Sequence, residues 1–186
     1  ISCQINLNIN DILHDKHSLS ILDVNKSLCQ SILIAKDQQG YLNLMKLISE
    51  SYTKREAGIN PNIKLSDLEN NKDGLIFLCG NLEGVLSKLL LEEQDKKAEI
   101  LAKKLLDIFA DDFYIELHRH GENNEDILEE KLIKLALNHN IPLVATNDNF
   151  FINQDMHESQ DILSCIGTGR YVREKNRKKI NNQHYL

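Results

Sequence analysis

The feature that most constrains this chain is an alternation. Short aliphatic and β-branched runs recur along it, separated by roughly 10 to 20 residues whose apolar positions follow a helical period. Ile5, Leu7 and Ile9 alternate with polar partners and predict a half-buried strand over 3–9, and further strands are predicted over 31–35, 75–79, 113–117 and 141–146. The last is apolar almost throughout, which implies burial on both faces. Between these runs Tyr41, Leu44, Met45, Ile48 and Tyr52 predict a helix over 39–52, after which Gly58 and Pro61 break the chain. Helices are also predicted over 82–91 and 95–110, the second with Ile100, Leu101, Leu105 and Ile108 on one side. Leu128, Leu132, Leu135 and Ala136 mark another over 125–139, and a last one over 156–166 ends at Gly167. Strands joined by helices imply right-handed βαβ units and a parallel sheet, either open and doubly wound or closed as a barrel.

Composition narrows the class. The 186 residues are 41% hydrophobic and 27% charged, which excludes collagenous, coiled-coil and disordered chains and suffices for one core. The run Leu75 to Cys79 is far shorter than the ~20 residues a membrane span needs, so a cytoplasmic protein is expected. With 22 Lys+Arg against 28 Asp+Glu the net charge is −6, which argues against a nucleic-acid footprint over the whole domain; any such contact must be local. Cys3, Cys29, Cys79 and Cys165 form no C-x-x-C pair and are expected as buried free thiols in a reducing compartment. The chain starts at Ile1 inside a strand-like pattern, as though in mid-domain. At the other end Arg170, Arg173, Lys175, Arg177, Lys178 and Lys179 form a basic stretch that runs on to Tyr185 and Leu186 without a closing element. It is expected as a solvated loop, with phosphate contact as the alternative, and both ends are expected to be truncations.

In parallel α/β folds the ligand sits beyond the carboxyl ends of the strands, so polar residues there are the candidates. His118 and His120 follow the strand at 113–117 and would project to one side if it continued; they are either shared metal ligands or loop residues. Asp148 follows the strand at 141–146 and is either a site carboxylate or a turn or cap residue. Gly167-Thr168-Gly169 follows a helix and is expected as its C-terminal cap rather than a phosphate loop. No G-x-S-x-G elbow, Walker A sequence or Cys/His nucleophile pair is present.

Several stretches, in order, carry a family resemblance. They are Gly40-Tyr41-Leu42-Asn43-Leu44-Met45-Lys46-Leu47-Ile48-Ser49 with Tyr52, and Gly74-Leu75-Ile76-Phe77-Leu78-Cys79-Gly80 with Gly84. Phe113-Tyr114-Ile115-Glu116-Leu117-His118-Arg119-His120-Gly121 and Ile141-Pro142-Leu143-Val144-Ala145-Thr146-Asn147-Asp148 follow, then Gln160-Asp161-Ile162-Leu163 running into Cys165-Ile166-Gly167-Thr168-Gly169. Over nearly the whole chain they resemble the polymerase-and-histidinol-phosphatase (PHP) domain found in alpha subunits of bacterial DNA polymerase III. The resemblance implies a partial PHP domain over 1–186: part of a distorted seven-stranded β/α barrel lacking its first strands, with the basic segment 170–186 leading toward the next part of the polymerase.

The resemblance also implies a site. Active members hold up to three divalent metals (Zn, Mn or Mg) in a His/Asp/Glu cluster that lowers the pKa of a bound water and neutralises phosphate charge. The family's first H-x-H motif would lie upstream of Ile1. Gln4 stands where the family has Glu, Gln30 where it has His, and Phe150 where its Asn-Asp-x-His motif ends, leaving His120 and Asp148 as vestigial metal positions. Amides are poor substitutes for carboxylate or imidazole, and a phenyl ring cannot ligate a metal. The resemblance therefore implies no catalytic residue and no bound cofactor in this segment. Its role would be scaffold and docking surface beside the rest of the polymerase chain and the proofreading exonuclease subunit, with polymerisation performed by a palm domain elsewhere. The alternatives are an active metal-dependent phosphoesterase or 3′–5′ exonuclease, and a stand-alone phosphatase of the wider superfamily.

Overall fold

A computed structural model describes residues 1–8, 21–177 and 179–186. Ile9 and Lys178, which figure in the sequence reading, lie outside the described residues. The elements in chain order are β1 (Ser2–Asn8), α1 (Ile21–Lys26), β2 (Leu28–Ala35), α2 (Gln38–Thr53), α3 (Leu65–Asn70), β3 (Leu75–Cys79), α4 (Val85–Leu91), α5 (Asp95–Phe109), β4 (Phe113–Leu117), α6 (Glu125–His139), β5 (Leu143–Ala145) and α7 (His157–Thr168). Short 3-10 turns at Ala110–Asp112 and Gln154–Met156 lead into β4 and α7. No helix among the described residues is long and apolar enough to cross a membrane.

The five strands form one mixed sheet in the order β1-β2-β3-β4-β5, open among the described residues, with β1 and β5 as its edges. Only half of the expected parallel pairing is present. β3–β4 and β4–β5 are parallel, whereas β2 runs antiparallel to both β1 and β3. The reason lies in the connection from β2 to β3, which leaves and re-enters the sheet at one end. Lys36 N–H donates to Gly74 O at 2.9 Å, and Asp37, the N-cap of α2, accepts from Gly40 N–H at 2.8 Å. A Cβ on Gly40 would stand 1.8 Å from Gly74 O, and Gly74 has φ +73°, so two glycines permit this joint where any side chain would block it. The run pattern in the sequence fixes where strands lie but carries no sign of their direction.

Alternation along the strands buries one face of the sheet: Ile5, Leu7, Cys29, Leu33, Phe77, Cys79, Phe113 and Ile115. The ring of Phe77 stacks on Phe109 of α5 at 5.0 Å and tilts against Phe113 at 5.9 Å. Two helix faces differ from the sequence reading. In α2 the buried stripe is Gly40, Leu44, Leu47 and Ser51, while Met45 and Tyr52 are exposed. In α5 it is Ala98, Leu101, Ala102, Leu105 and Ile108, and Ile100 is 66% exposed. Small residues occupy the positions closest to the sheet, so counting only large apolar residues rotates each face by about one residue. The stripe expected on α6 is the one that is buried.

The fifth strand is shorter and less buried than its apolar run implied, with Leu143 and Ala145 exposed, because it pairs only with β4 and forms an edge. Gly169 caps α7 at φ +64°, and Arg170 N–H reaches back to Cys165 O at 2.9 Å. Helix α7 itself runs one residue beyond Gly167, to Thr168. The basic stretch is not uniformly solvated: Arg177 is buried in a bidentate ion pair with Asp161 of α7, and Arg170 pairs with Glu174. Nor does the chain trail away after it, since Phe151 and Tyr185 form a parallel bridge beyond β5. All four cysteines are free, three of them buried. Burial pushes the Cys29 thiol up to about 11 and Cys79 up to about 12, which keeps both neutral and unreactive.

Candidate functional site

The inverted course of β2 leaves the other four strands pointing one way, so the carboxyl ends of β3, β4 and β5 converge at one end of the sheet. Polar side chains gather there. Glu116, 0% exposed on β4, accepts from Thr146 Oγ1 at 3.0 Å and from Asn81 Nδ2 at 3.4 Å. Thr146 has one proton, given to that carboxylate, so its oxygen accepts from His118 Nε2 at 2.6 Å. Asn81, Glu116, His118 and Thr146 thus tie the ends of three strands together. Close backbone approach makes room for this: a Cβ on Gly80 would lie 2.1 Å from Glu116 O.

His120 lies beyond this chain of hydrogen bonds and is 3% exposed. Its ring meets that of His118 edge-on at 5.2 Å. Asn147 donates through Nδ2 to Tyr185 O at 2.8 Å, which turns its Oδ1 toward His120 Nε2 at 2.6 Å. The other ring nitrogen, Nδ1, faces Glu125 Oε1 at 3.4 Å. Glu125 opens α6, and its Oε2 accepts from the backbone N–H groups of His120 (2.7 Å), Gly121 (2.7 Å) and Glu122 (3.2 Å). A carboxylate at a helix N-terminus is also favoured by the helix dipole. Above His120 lies His184, stacked at 3.9 Å and 10° between planes, with Nδ1 2.8 Å from Asp148 O.

Of the residues singled out in the sequence, His118, His120 and Asp148 meet here, but Asp148 does so through its backbone: its N–H is 3.4 Å from His120 Nε2, while the residue is exposed. Phe150 is exposed and sets its ring edge against His184 at 5.4 Å. Near the start of β2, Gln30 falls at this same end of the sheet, where its N–H donates to Glu83 O at 2.8 Å. Gln4 pairs with Ile32 in mid-strand and is exposed. Sequence reasoning missed Glu116, Glu125, Asn147 and His184. The one available signal was His184, a lone imidazole in an otherwise neutral polar run.

The donor set does not fit the divalent-metal cluster that the resemblance implies. His120 Nε2 is engaged by Asn147 Oδ1, Nδ1 lies 3.4 Å from Glu125 Oε1 without a hydrogen bond, and Asp148 turns its backbone N–H toward that ring. Among the described residues no group of three or more His, Cys, Asp or Glu side chains is arranged to hold a metal ion. A groove of about 520 Å³ elsewhere, lined by Glu50, Lys54, Lys64 and Asp67 among others, shares no residue with the cluster.

Comparison with known proteins bears out the family resemblance. Curated relatives named DNA polymerase III subunit alpha include one from Rickettsia bellii (strain RML369-C), 42% identical over 155 residues that cover 83% of this chain and 13% of the relative. Another, from Rickettsia felis, is 37% identical over 175 residues, 94% of this chain and 14% of the relative. A third, from Borreliella burgdorferi, is 39% identical over 167 residues, 88% of this chain and 14% of the relative. The chain therefore spans about one seventh of the length of the relatives it matches. A family model described as the PHP domain matches residues 1–120, from β1 through His120, and leaves Asp148 outside the matched stretch. With four of the five described strands inside that match, this chain belongs to the PHP domain family.

Proposed function

We propose that the chain is part of a DNA polymerase III alpha subunit and serves there as a scaffold and docking domain whose metal site is degenerate. The observation that carries the reading is the 42% identity over 155 residues to a protein of that name, across 83% of this chain. Degeneracy is supported by Gln30 and Phe150 at positions where the resemblance implies ligands, by Asn147 Oδ1 on His120 Nε2, and by Gln4, which the resemblance sets at a third such position but which sits in mid-strand away from the cluster. On this reading the open five-stranded sheet is part of a distorted seven-stranded barrel completed by strands outside these residues. DNA polymerisation in the cytoplasm then belongs to carboxylates elsewhere in the polymerase. The partners are the remainder of that chain and the proofreading exonuclease subunit.

Elemental analysis of the full polypeptide carrying these residues, purified from its source cells, tests the proposal. Zinc, manganese and magnesium well below one equivalent, in a chain far larger than 21.4 kDa, are expected. Tight stoichiometric metal would overturn the degenerate site, and a species near 21.4 kDa would overturn the polymerase assignment. A second reading, an active phosphoesterase or 3′–5′ exonuclease, draws on the gathering of Glu116, His118, His120, Glu125 and His184 at the end of β4. Manganese-dependent release of nucleotides from a primer end, abolished by His120→Ala, would establish it instead.

A further inference from the structure

The segment 179–186 crosses the end of the sheet over His120, and the way it is held sets it apart from the rest of the fold. Asn181 Nδ2 donates to His120 O at 2.8 Å and to Glu122 Oε1 at 2.7 Å. The ring of His184 lies flat on His120, and its backbone carbonyl accepts from Phe150 N–H at 2.9 Å. Leu186 N–H donates to Phe151 O at 3.2 Å, and His157 Nε2 donates to Ile180 O at 2.7 Å. Apolar burial contributes little: Ile180 is only half-buried, and the one buried side chain of residues 179–184 is the His184 imidazole. Segments held by a few polar contacts open at lower free energy than strands packed on a core. What this one covers is the ring face of His120 on which His184 stacks, at the carboxyl ends of parallel strands.

We infer that residues 179–186 form a releasable strap over His120, opening independently of the sheet and controlling access from solvent to that imidazole. The inference rests on these contacts and not on membership of a polymerase, so either can fail alone. Opening breaks the Asn181 bonds and the His120–His184 stack, and leaves the buried Phe77–Phe109–Phe113 core untouched.

Two measurements on the full polypeptide test it. In hydrogen exchange of the unaltered protein, the amides of Phe150 and Leu186 exchange at least about 100-fold faster than that of Ile115 in β4, as a separate opening unit requires. Equal protection would mean that the strap opens only with global unfolding and would overturn the inference. In the second, diethyl pyrocarbonate acylates accessible imidazole, and peptide mapping reads each histidine. Asn181→Ala is expected to raise the rate at His120 by about tenfold or more while the rate at His139, on α6, stays unchanged. An unchanged rate at His120 overturns the proposal, and so does a parallel rise at His139, since the strap would then not be separable from the fold.

Discussion

Gly40 and Gly74 meet backbone to backbone where the chain leaves and rejoins the sheet, with no room for a methyl group. Gly40→Ala should therefore cost about 3 kcal/mol, since the atom it meets is a backbone carbonyl and not a flexible side-chain tip; urea denaturation of the full polypeptide checks this. Glu116 makes a different demand. Thr146→Val removes its shortest hydrogen bond and should cost roughly 1–3 kcal/mol, because a fully buried carboxylate is left with less compensation. Both positions bear on what the sequence reveals. His120 stood out because it follows a strand-like run, whereas Glu116 looked like an ordinary polar member of that run. Its partner Thr146 lies 30 residues on, and only the parallel pairing of β4 with β5 brings the two together.

Helix faces are where element-scale reading succeeds and slips. The period of α5 placed a helix over the right residues, yet the inward stripe runs through Ala98 and Ala102, which a count of large apolar residues passes over. Leu101→Ala should cost about 2–5 kcal/mol and Ile100→Ala within about 0.5 kcal/mol, a contrast that thermal unfolding of the two variants would read directly. Strand direction was illegible for another reason. A run of aliphatic residues looks the same whichever way it is paired, and what inverts β2 is the glycine joint, not the composition of the strand. The attachment of α7 to the segment after it has a pH signature. The Arg177 guanidinium beside Asp161 holds that carboxyl below its ordinary value, despite the opposing effect of burial. A depressed folded value adds stability above the ordinary aspartate pKa near ~4, and that stability is lost as pH falls through the lowered value. Asp161→Asn should therefore flatten the acid limb of the pH–stability curve below about pH 4, and an unchanged limb would show that the pair contributes nothing.

At the scale of the whole molecule, apolar surface remains uncovered. The outer side of β1 is covered over part of its length, where Leu7 bridges Ile63 and Asn6 O accepts from Ile63 N–H at 2.8 Å, while β5 has no outer partner among the described residues, and α7 exposes Ile162, Leu163 and Ile166. Such edges and patches invite pairing between copies, so the 186-residue chain alone should self-associate; sedimentation that finds a monomer at micromolar concentration, with one cooperative unfolding transition, would contradict this. Class and core were legible here because alternation and helical period are local properties. The open sheet was not, because closure depends on what lies beside the first and last strands. The glycine joint has a consequence for variation as well. Residues 38–73 form a lobe with both its stems at one point of the sheet, and its exposed turn at 54–57 precedes Gly58, whose carbonyl accepts from Asn25 Nδ2 at 3.0 Å. Insertions, deletions or a proteolytic nick in that turn would leave β2 and β3 in register, making it a natural socket for lineage-specific sequence in an otherwise tightly specified fold.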